Sequence, residues 1–311
     1  MDIKRYYSAL ETRLGNWVLF GGRAHLAYYE PNAWWPFPIH RALLALEDHI
    51  YDSLDVNNNN RRARVLDAGC GDGQVAIHLA TKGLRVHAID VLAQQVERAQ
   101  RNVCRAVLAQ SQSQSQAHKH KSKQDDDSVA LDITVRQDDY HHLVTVQSAS
   151  LDGIYTIETL VHASDLIAVL TELRRVLKPG GRVAFYEYDH WAAAAAAQKR
   201  KSEAEKTSQA DEKVREYGAI ASGSTAQQPE SLAQSLTQAG FCDVQEKDLS
   251  RNVRPLLRVL VTVLFIPCML VLALGMEAYF INTIAVVVNY RRGWKYVAVT
   301  GRKPLESKED L

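Results

Sequence analysis

Three glycines occupy alternate positions directly after a short apolar run, in the stretch VLDAGCGDGQ (65–74). Glycine in a regular element costs roughly 0.5 to 1 kcal/mol, so Gly69, Gly71 and Gly73 indicate a backbone that bends sharply or lies close to a ligand. The residues before them, ARVLDA, are typical of a buried parallel strand. Those after them, QVAIHLATKG, have helical apolar spacing and end at a glycine. The sequence therefore predicts a strand, a glycine turn and a helix.

Two classes of cofactor site use a glycine turn in this position. The dinucleotide-binding spacing is G-x-G-x-x-G, in which a pyrophosphate lies at the helix N-terminus. This chain has G-x-G-x-G, and Asp67 stands just before the first glycine. A carboxylate there would repel a pyrophosphate but could bind the ammonium group of S-adenosylmethionine (SAM). The charge favours SAM over NAD, and a glycine turn with a purely structural role is the remaining alternative.

The elements that must position this turn alternate between strands and helices from residue 65 to 190. Four further strands are predicted at LRVHAID, LDITVRQDD, LDGIYTIE and RVAFYEYD, in the order β-α-β-α-β-β-α-β. The pattern returns after residue 230 with a helix to Gly240, the strand CDVQEKDLS and the final strand WKYVAVTGRKP. We therefore predict an α/β fold with a Rossmann-like, doubly wound, mostly parallel sheet of seven strands.

Composition narrows the function classes. The 311 residues are 46% hydrophobic, enough for a large core, and 37 Lys and Arg against 36 Asp and Glu give a net charge of +1. Without a basic excess, nucleic acid is not expected as a partner. The four scattered cysteines are expected to be reduced thiols, and the charged N-terminus lacks the apolar run of a signal peptide. We expect an intracellular protein, in the cytoplasm or on the cytoplasmic face of a membrane such as the endoplasmic reticulum.

Two stretches interrupt the alternating pattern. Residues 109–128 (AQSQSQSQAHKHKSKQDDDS) are low in complexity and too polar to bury, so we predict a disordered surface loop there. His118 and His120 in it could ligate a metal, but a solvated loop is the favoured interpretation and no metal site is predicted. Residues 192–215 begin with a run of alanines and favour an exposed helix or a linker.

A long apolar stretch, 255–290, lies between the last two predicted strands. Its residues 259–276 carry no charge and as a helix would span roughly 27 Å, slightly less than the ~30 Å hydrocarbon core of a bilayer. A single membrane span would separate the final strand from its sheet, and Pro267 stands within the run. We therefore predict a helical apolar lid inserted between the last two strands, with membrane association through 255–290 as the alternative.

Further motifs lie in SLDGIYTIETLVHASDLIAVLTELRRVLKPGGRVAFYEYD (150–189). Together with VLDAGCGDG, the segments IETLVHA, VLKPGG and YEYD resemble the class I SAM-dependent methyltransferases, and more narrowly the sterol C-methyltransferase-like (methyltransferase type 11) group. The resemblance covers about 65–190 and is weaker over 230–303. The two interrupting stretches are foreign to that group, and the N-terminal GGRAHLAYYEPNAWWPFPIH is only loosely similar to the aromatic motif of sterol enzymes.

The resemblance implies SAM as the cofactor and a methyltransferase domain over 61–303. Residues 1–60 would form a helical and aromatic cap over the acceptor site, and 304–311 a tail. Asp67 and the backbone of Gly69, Cys70 and Gly71 would lie along the methionine part of SAM, with Gly73 allowing close packing of the helix.

Three further acids are assigned to the nucleoside part of SAM. Asp90 ends the second strand, where a carboxylate can accept hydrogen bonds from both ribose hydroxyls. A helix N-cap is its alternative role. In QDDY, Asp139 aligns best with the family acid that contacts the adenine amino group, and Asp138 is the alternative.

The acceptor side is assigned to Glu158, His162 and Glu187 as catalytic candidates. Glu158 ends the fourth strand beneath the expected methyl group, as a base or cation stabiliser, and His162 would share a helical face with it. Glu187 ends the fifth strand as a further acid of the pocket. A purely structural role is the alternative for His162 and Glu187. Substrate contacts are assigned to the aromatic N-terminal residues Tyr28, Tyr29 and Trp34.

The predicted function is SAM-dependent methylation of an apolar small molecule, such as a sterol-like lipid, a terpenoid or another secondary metabolite. One alternative is an O- or N-methyltransferase of an aromatic or polyketide metabolite, in which Glu158 or His162 removes a proton. The second alternative is a membrane-anchored SAM-binding protein without catalysis. The acids on the acceptor side favour an enzyme over this last alternative.

Overall fold

A computed structural model describes residues 22–56, 62–117, 130–189, 231–274, 287, 290 and 295–305. Its helices are α1 (Ile39–Leu54), α2 (Gln74–Thr81), α3 (Ala93–Ala117), α4 (Leu166–Val176), α5 (Leu232–Gln238) and α6 (Ser250–Ala273), with a 3-10 helix at Leu160–His162. Its strands are β1 (Arg64–Ala68), β2 (Arg85–Asp90), β3 (Asp132–Gln137), β4 (Leu151–Ile157), β5 (Leu177–Tyr188), β6 (Cys242–Asp248) and β7 (Tyr296–Arg302). Val287 and Tyr290 are also helical.

The strands form a seven-stranded sheet in the order β3-β2-β1-β4-β5-β7-β6. The pairs from β3 to β5 are parallel, whereas β7 runs antiparallel to both β5 and β6. This arrangement confirms the predicted Rossmann-like, mostly parallel sheet. The chain winds outward to one side from β1 and to the other side from β4, and sheets of this kind open a crevice at the carboxyl ends of such strands.

The central strand β1 is buried over its last four residues because strands pair with both of its edges and helices cover both of its faces. Val65 belongs to the apolar cluster that α1 and α2 form on one face. Leu66 belongs to the cluster that α4 and α5 form on the other face. Successive side chains thus point to opposite faces of the sheet, as in any β-strand. A strand packed on all sides fixes the position of the turn that follows it.

Helix α3 is longer than the sequence indicated. The stretch 109–117, which we predicted as the start of a loop, continues this helix. The hydroxyls of Ser111 and Ser113 donate to the helical carbonyls of Leu108 and Ala109, so these polar residues are satisfied inside the helix. The loop prediction was therefore wrong over 109–117. The remainder of that stretch, with His118 and His120, and the stretch 192–215 lie outside the described residues.

Helix α6 lies in the chain between β6 and β7, where the apolar insertion was predicted. It contains both Pro255 and Pro267. Within the part of the chain that the structure describes, α6 is the helix that is long and apolar enough to cross a membrane, by length and composition.

Candidate active site

A cavity of about 600 Å³ opens at the carboxyl ends of the central strands. Its walls come from the glycine turn after β1, from the ends of β2, β3 and β4, and from residues 22–25 of the N-terminal segment. Small-molecule sites typically have volumes of ~300 to 1,000 Å³. The cavity therefore lies where a doubly wound sheet binds its ligand and has the size of a small-molecule site.

The glycine turn has the backbone conformation that its sequence indicated. Gly69 has a φ of +99°, and a Cβ atom there would lie 2.5 Å from Cγ2 of Thr159. Gly73 has a φ of +80° and packs against Ala99 of α3, where a Cβ atom would lie 3.0 Å from the alanine Cβ. Gly71, with a φ of +54°, has open space where a Cβ atom would be. Gly71 thus leaves room for a ligand close to the backbone, whereas Gly69 and Gly73 allow close packing.

Asp67 lies buried at the end of β1 and lines the cavity. Burial, and then the nearby charges of Asp90 and Glu47, raise its pKa to about 7. Its Oδ2 atom has no hydrogen-bond partner among the described residues. A buried carboxylate oxygen without a donor is costly, so the site fits a ligand that carries a hydrogen-bonding cation. The ammonium group of SAM meets this requirement.

Asp90 ends β2 and connects two backbone segments beside the cavity. Its Oδ2 accepts a hydrogen bond from Gly71 N at 3.0 Å, and its Oδ1 accepts one from Leu92 N at 2.9 Å, just before α3 begins. Burial raises the pKa of this carboxyl. Each oxygen keeps a further lone pair that can accept from a ribose hydroxyl. Because α3 begins at Ala93, the contact with Leu92 N fixes the segment before the helix, and the alternative role of Asp90 as the N-cap is not borne out.

Asp138 and Asp139 both line the cavity after β3, but they differ in their partners. Asp138 is buried, and its carboxylate accepts from Asp139 N, Thr145 N and the Thr145 hydroxyl. Burial opposes ionisation of Asp138, but these hydrogen bonds outweigh it and hold the pKa below its usual value. Asp139 is half-exposed and accepts from the backbone and ring of His141 through Oδ1. Both acids therefore stay candidates for the adenine contact.

Glu158 and His162 line the same cavity on the β4 side. Glu158 has the left-handed φ of +54°, unusual for a residue with a Cβ atom. Its Oε1 accepts from Leu26 N at 3.1 Å and from the Tyr296 hydroxyl at 3.2 Å. Burial raises the pKa of Glu158 and lowers the pKa of His162. The two predicted catalytic candidates meet at one wall, although Glu158 precedes the 3-10 helix and does not share a helical face with His162.

Glu187 does not line the cavity, which corrects its assignment as an acid of the pocket. It is fully buried behind the turn that follows β4, where its Oε1 accepts from Thr159 N and Leu160 N, both at 3.0 Å. Burial raises its pKa to about 8. The strand alternation of β5 directs this side chain toward the backbone of that turn, so Glu187 supports the cavity wall from behind.

The three aromatic residues predicted to bind substrate also lie away from the cavity lining. The Tyr28 ring packs on His49 at 5.1 Å between centroids. Tyr29 is buried, and its hydroxyl donates to Pro36 O at 2.9 Å. Trp34 is 78% exposed. The two tyrosines are used to fasten the N-terminal segment to the fold, which leaves no aromatic side chain from this motif in the described cavity wall.

Sequence reasoning missed a charged cluster above the cavity. Arg23 and His25 line it, and both contact the buried Glu47 of α1. Burial opposes ionisation of Glu47, but hydrogen bonds from His25 and Arg23 outweigh it and lower the pKa. Nothing in the spacing of residues 23, 25 and 47 signals this contact, because it forms only when the N-terminal segment crosses the sheet.

The apolar helix α6 contributes none of the described residues that line the cavity. Asn252, in its first turn, bonds the backbone of Tyr29, and the hydroxyl of Ser250 accepts from Tyr296 N, so α6 reaches the cavity indirectly, through the N-terminal segment and β7. The predicted placement in the chain is confirmed, but the described wall offers no support for α6 as a lid over the acceptor.

Comparison with known proteins decides the family. A family model described as a methyltransferase domain matches residues 41–246. The chain belongs to the SAM-dependent methyltransferase family. This SAM-dependent methyltransferase family member is 33% identical over 97% of its length to the S-adenosyl-L-methionine-dependent Diels-Alderase iccD of Talaromyces variabilis, of which 94% is covered.

Two further proteins extend the comparison. The S-adenosyl-L-methionine-dependent Diels-Alderase iliD of Neonectria sp. (strain DH2) is 35% identical over 60% of this methyltransferase family member and 62% of its own length. The solved structure of the (4+2)-cyclase SpnF has a TM-score of 0.62 at 21% identity, with 97% of this chain and 95% of that one covered. The predicted class I fold, SAM as cofactor and an enzymatic function are confirmed. The roles of individual site residues stay predictions.

Proposed function

We propose that this family member is a SAM-dependent cyclase of the Diels-Alderase type, acting on an apolar small molecule of secondary metabolism. The observation that supports this most directly is the 33% identity to iccD over 97% of the chain. The aligned region covers more of the chain than residues 41–246, so the similarity reaches beyond the methyltransferase domain. The substrate of a Diels-Alder reaction carries a conjugated diene and an alkene, which makes much of it apolar.

The reaction itself sets what the protein must supply. In a (4+2) cycloaddition, three π bonds are converted into one π bond and two C–C σ bonds, and no atom is gained or lost. The rate then depends on holding the diene and the alkene face to face and on stabilising any charge that develops. A rigid cavity with fixed dipoles meets both needs without a proton transfer.

The described cavity has residues that would hold the cofactor. Asp67 would bind the ammonium of SAM, Asp90 the ribose hydroxyls, and the backbone at Gly71 would lie along the methionine part. Bound SAM supplies a positively charged sulfonium and a transferable methyl group. Glu158 is fixed by hydrogen bonds from Leu26 N and the Tyr296 hydroxyl, so the cavity wall at the end of β4 is already ordered.

Methyl transfer to an oxygen or nitrogen atom is the second candidate, because two groups on the cavity wall can remove a proton. Burial lowers the pKa of His162, so its imidazole is neutral at neutral pH and can accept a proton. Glu158 lies on the same wall. An oxygen or nitrogen acceptor would need this deprotonation, whereas a cyclisation would not.

The mass of the product separates the two reactions. The experiment incubates purified protein and SAM with a metabolite extract from the source organism after deletion of the gene, with the Asp90→Ala variant as a control for cofactor binding. We expect a new product with the same molecular formula as the precursor that it replaces. A product heavier by one CH₂ unit would establish methyl transfer and contradict cyclisation.

A further inference from the structure

Helix α6 is divided into two halves with different surroundings. Its first half packs into the fold, with Val253, Leu256 and Leu260 in the same apolar cluster as α1 and α2. Asn252 also exchanges hydrogen bonds with Tyr29, since Tyr29 N donates to Asn252 O at 3.0 Å and Asn252 Nδ2 donates to Tyr29 O at 2.8 Å. The base of α6 is therefore firmly attached to the body of the protein.

The second half of α6 exposes large apolar side chains. Ile266 is 68% exposed and Leu270 is 59% exposed, and the same face and its flanks also expose Val263, Phe265, Met269 and Leu274. Cys268 and Val271 are buried, but in a small cluster with Val287 that is separate from both large clusters of the core. Exposed apolar surface costs about 25 cal/mol per Å² relative to burial. A further apolar environment around this half of α6 would therefore stabilise it.

The first half of α6 carries positive charge on its exposed side, just before the exposed apolar half begins. Arg251, Arg254 and Arg258 are exposed and lie three and four residues apart, so they share one helical face. The sequence of α6 contains no acidic residue. Positive charge beside an exposed apolar surface matches the anionic headgroups of a membrane and the hydrocarbon below them.

A second exposed group lies next to the base of α6. Trp34, Trp35 and Phe37 are all exposed, with ring centroids 5.6 Å apart for the first pair and 5.4 Å for the second. The Tyr29 hydroxyl bonds Pro36 O between them, and Tyr29 is the residue that bonds Asn252 of α6. Tryptophan is enriched where membrane proteins meet the headgroup layer. The aromatic residues thus form a second exposed apolar group, which Tyr29 links to the first turn of α6.

We propose that residues 262–273 of α6 insert into one leaflet of a membrane that carries anionic lipids. The twelve helical residues 262–273 span roughly 18 Å, so a tilted helix of this length stays within about one leaflet of the ~30 Å hydrocarbon core. Arg251, Arg254 and Arg258 contact lipid phosphates, and Trp34 and Trp35 lie at the headgroup level. This inference is independent of which reaction the cavity catalyses.

Vesicle flotation tests the apolar part of this surface. The purified full chain is mixed with vesicles of phosphatidylcholine and phosphatidylserine, and the fraction that floats with them is measured. The double variant Ile266→Asp/Leu270→Asp should partition at least tenfold more weakly. The matched control is Leu108→Asp, a leucine on α3 that is 55% exposed, and it should float like the unaltered protein. Circular dichroism verifies that each variant is folded.

The arginines are tested with the same assay. Arg254→Gln/Arg258→Gln should weaken binding to anionic vesicles about fivefold per arginine, with little change on vesicles of phosphatidylcholine alone. Equal binding of this variant and the unaltered protein to anionic vesicles would overturn the role of the arginines.

Two results would overturn membrane insertion as a whole. The first is flotation of Ile266→Asp/Leu270→Asp equal to that of the unaltered protein. The second is a protein that does not float but sediments as a dimer, with Ile266→Asp/Leu270→Asp sedimenting as a monomer. That second result would show that another copy of the chain covers α6.

Discussion

Asp67 is a carboxylate that folding moves out of water, and burial raises its pKa to about 7. In the unfolded chain it would titrate at about 3.9. Because the folded form without cofactor holds its proton more tightly, Asp67 contributes most to the free energy of unfolding below about pH 4 and loses this contribution as the pH rises through about 7. A bound ammonium group has the opposite preference, since it pairs with the ionised carboxylate. Binding of SAM should therefore strengthen with pH across this range.

Calorimetric titration with S-adenosylhomocysteine, which carries the same ammonium group, measures this effect. Its affinity should rise about tenfold between about pH 6 and about pH 8. Asp67→Asn should bind more weakly and lose the pH dependence, because asparagine does not ionise. The same pH profile in Asp67→Asn as in the unaltered protein would show that another group titrates and that Asp67 does not hold the cofactor.

Glu187 provides a contrasting case, because it is buried without reaching the cavity. Burial raises its pKa to about 8, so above that pH the folded chain holds a charge with one oxygen unpartnered among the described residues. Glu187→Gln keeps an oxygen for Thr159 N and Leu160 N and removes the charge. At about pH 9 the free energy of unfolding should rise by about 1 kcal/mol or more, as chemical denaturation measures it.

The affinity of Glu187→Gln for S-adenosylhomocysteine should be unchanged. If the variant folds normally but loses cofactor binding or turnover, Glu187 has the catalytic role that the sequence indicated.

Several site residues could be predicted from the sequence because each lies at or just after the end of a strand. The turn at Gly69 and the acids Asp67 and Asp90 belong to this group, since the end of a buried strand fixes their place. Whether Glu187 faces the cavity or the turn after β4 depends on which face of β5 packs against that turn, and no local sequence pattern predicts this. The contact between Arg23 and Glu47 joins residues 24 positions apart and depends on tertiary packing.

At the scale of elements, the turn between β1 and α2 should respond differently to alanine at two of its glycines. Gly69→Ala places a Cβ atom 2.5 Å from Thr159 at a φ of +99°, so it should lower the free energy of unfolding by about 2 kcal/mol or more. Gly71→Ala has open space and a φ of +54°, so it should cost only about 1 kcal/mol. Denaturant unfolding measures both values.

The affinity for the cofactor should depend on the glycine turn in a different way from the stability. Gly71→Ala points its new methyl group into the cavity, so it should weaken binding of S-adenosylhomocysteine even though the fold is retained. Unchanged affinity in Gly71→Ala would mean that the cofactor does not approach the backbone of this turn.

The central strands were predictable because they are apolar runs with clear ends, and each of the seven observed strands overlaps a predicted one, although β5 begins at Leu177, earlier than predicted. The end of α3 was not, because its serines and glutamines are typical of a loop by composition. In the structure Gln110 accepts a hydrogen bond from Leu131 N at 3.2 Å, which ties this part of the helix to the start of β3. This contact, and serines that bond their own helix, accompany the continuation of α3 beyond its buried first part, where Val96 and Ala99 pack in the core.

At the scale of the whole molecule, the sheet provides the cavity, and α6 provides an exposed apolar surface apart from it. The carboxyl ends of β1, β2 and β4 form a cavity whose acids fit SAM, and the N-terminal segment closes one wall through Leu26 and Glu158. The exposed half of α6 contributes nothing to the described wall of that cavity. The apolar character of α6 could be read from the sequence, but its position relative to the cavity could not, because that depends on how its first turns pack against Tyr29.

The fate of SAM during turnover tests the central claim most directly, namely that the cavity holds SAM intact while the substrate cyclises. The measurement supplies less SAM than substrate, together with the precursor from the gene-deletion extract, and quantifies product, SAM and S-adenosylhomocysteine by mass spectrometry. We predict many product molecules per SAM molecule and no S-adenosylhomocysteine above the level of a reaction without enzyme. Product that stops at the amount of SAM supplied, with one S-adenosylhomocysteine formed for each product molecule, would contradict the account and establish methyl transfer.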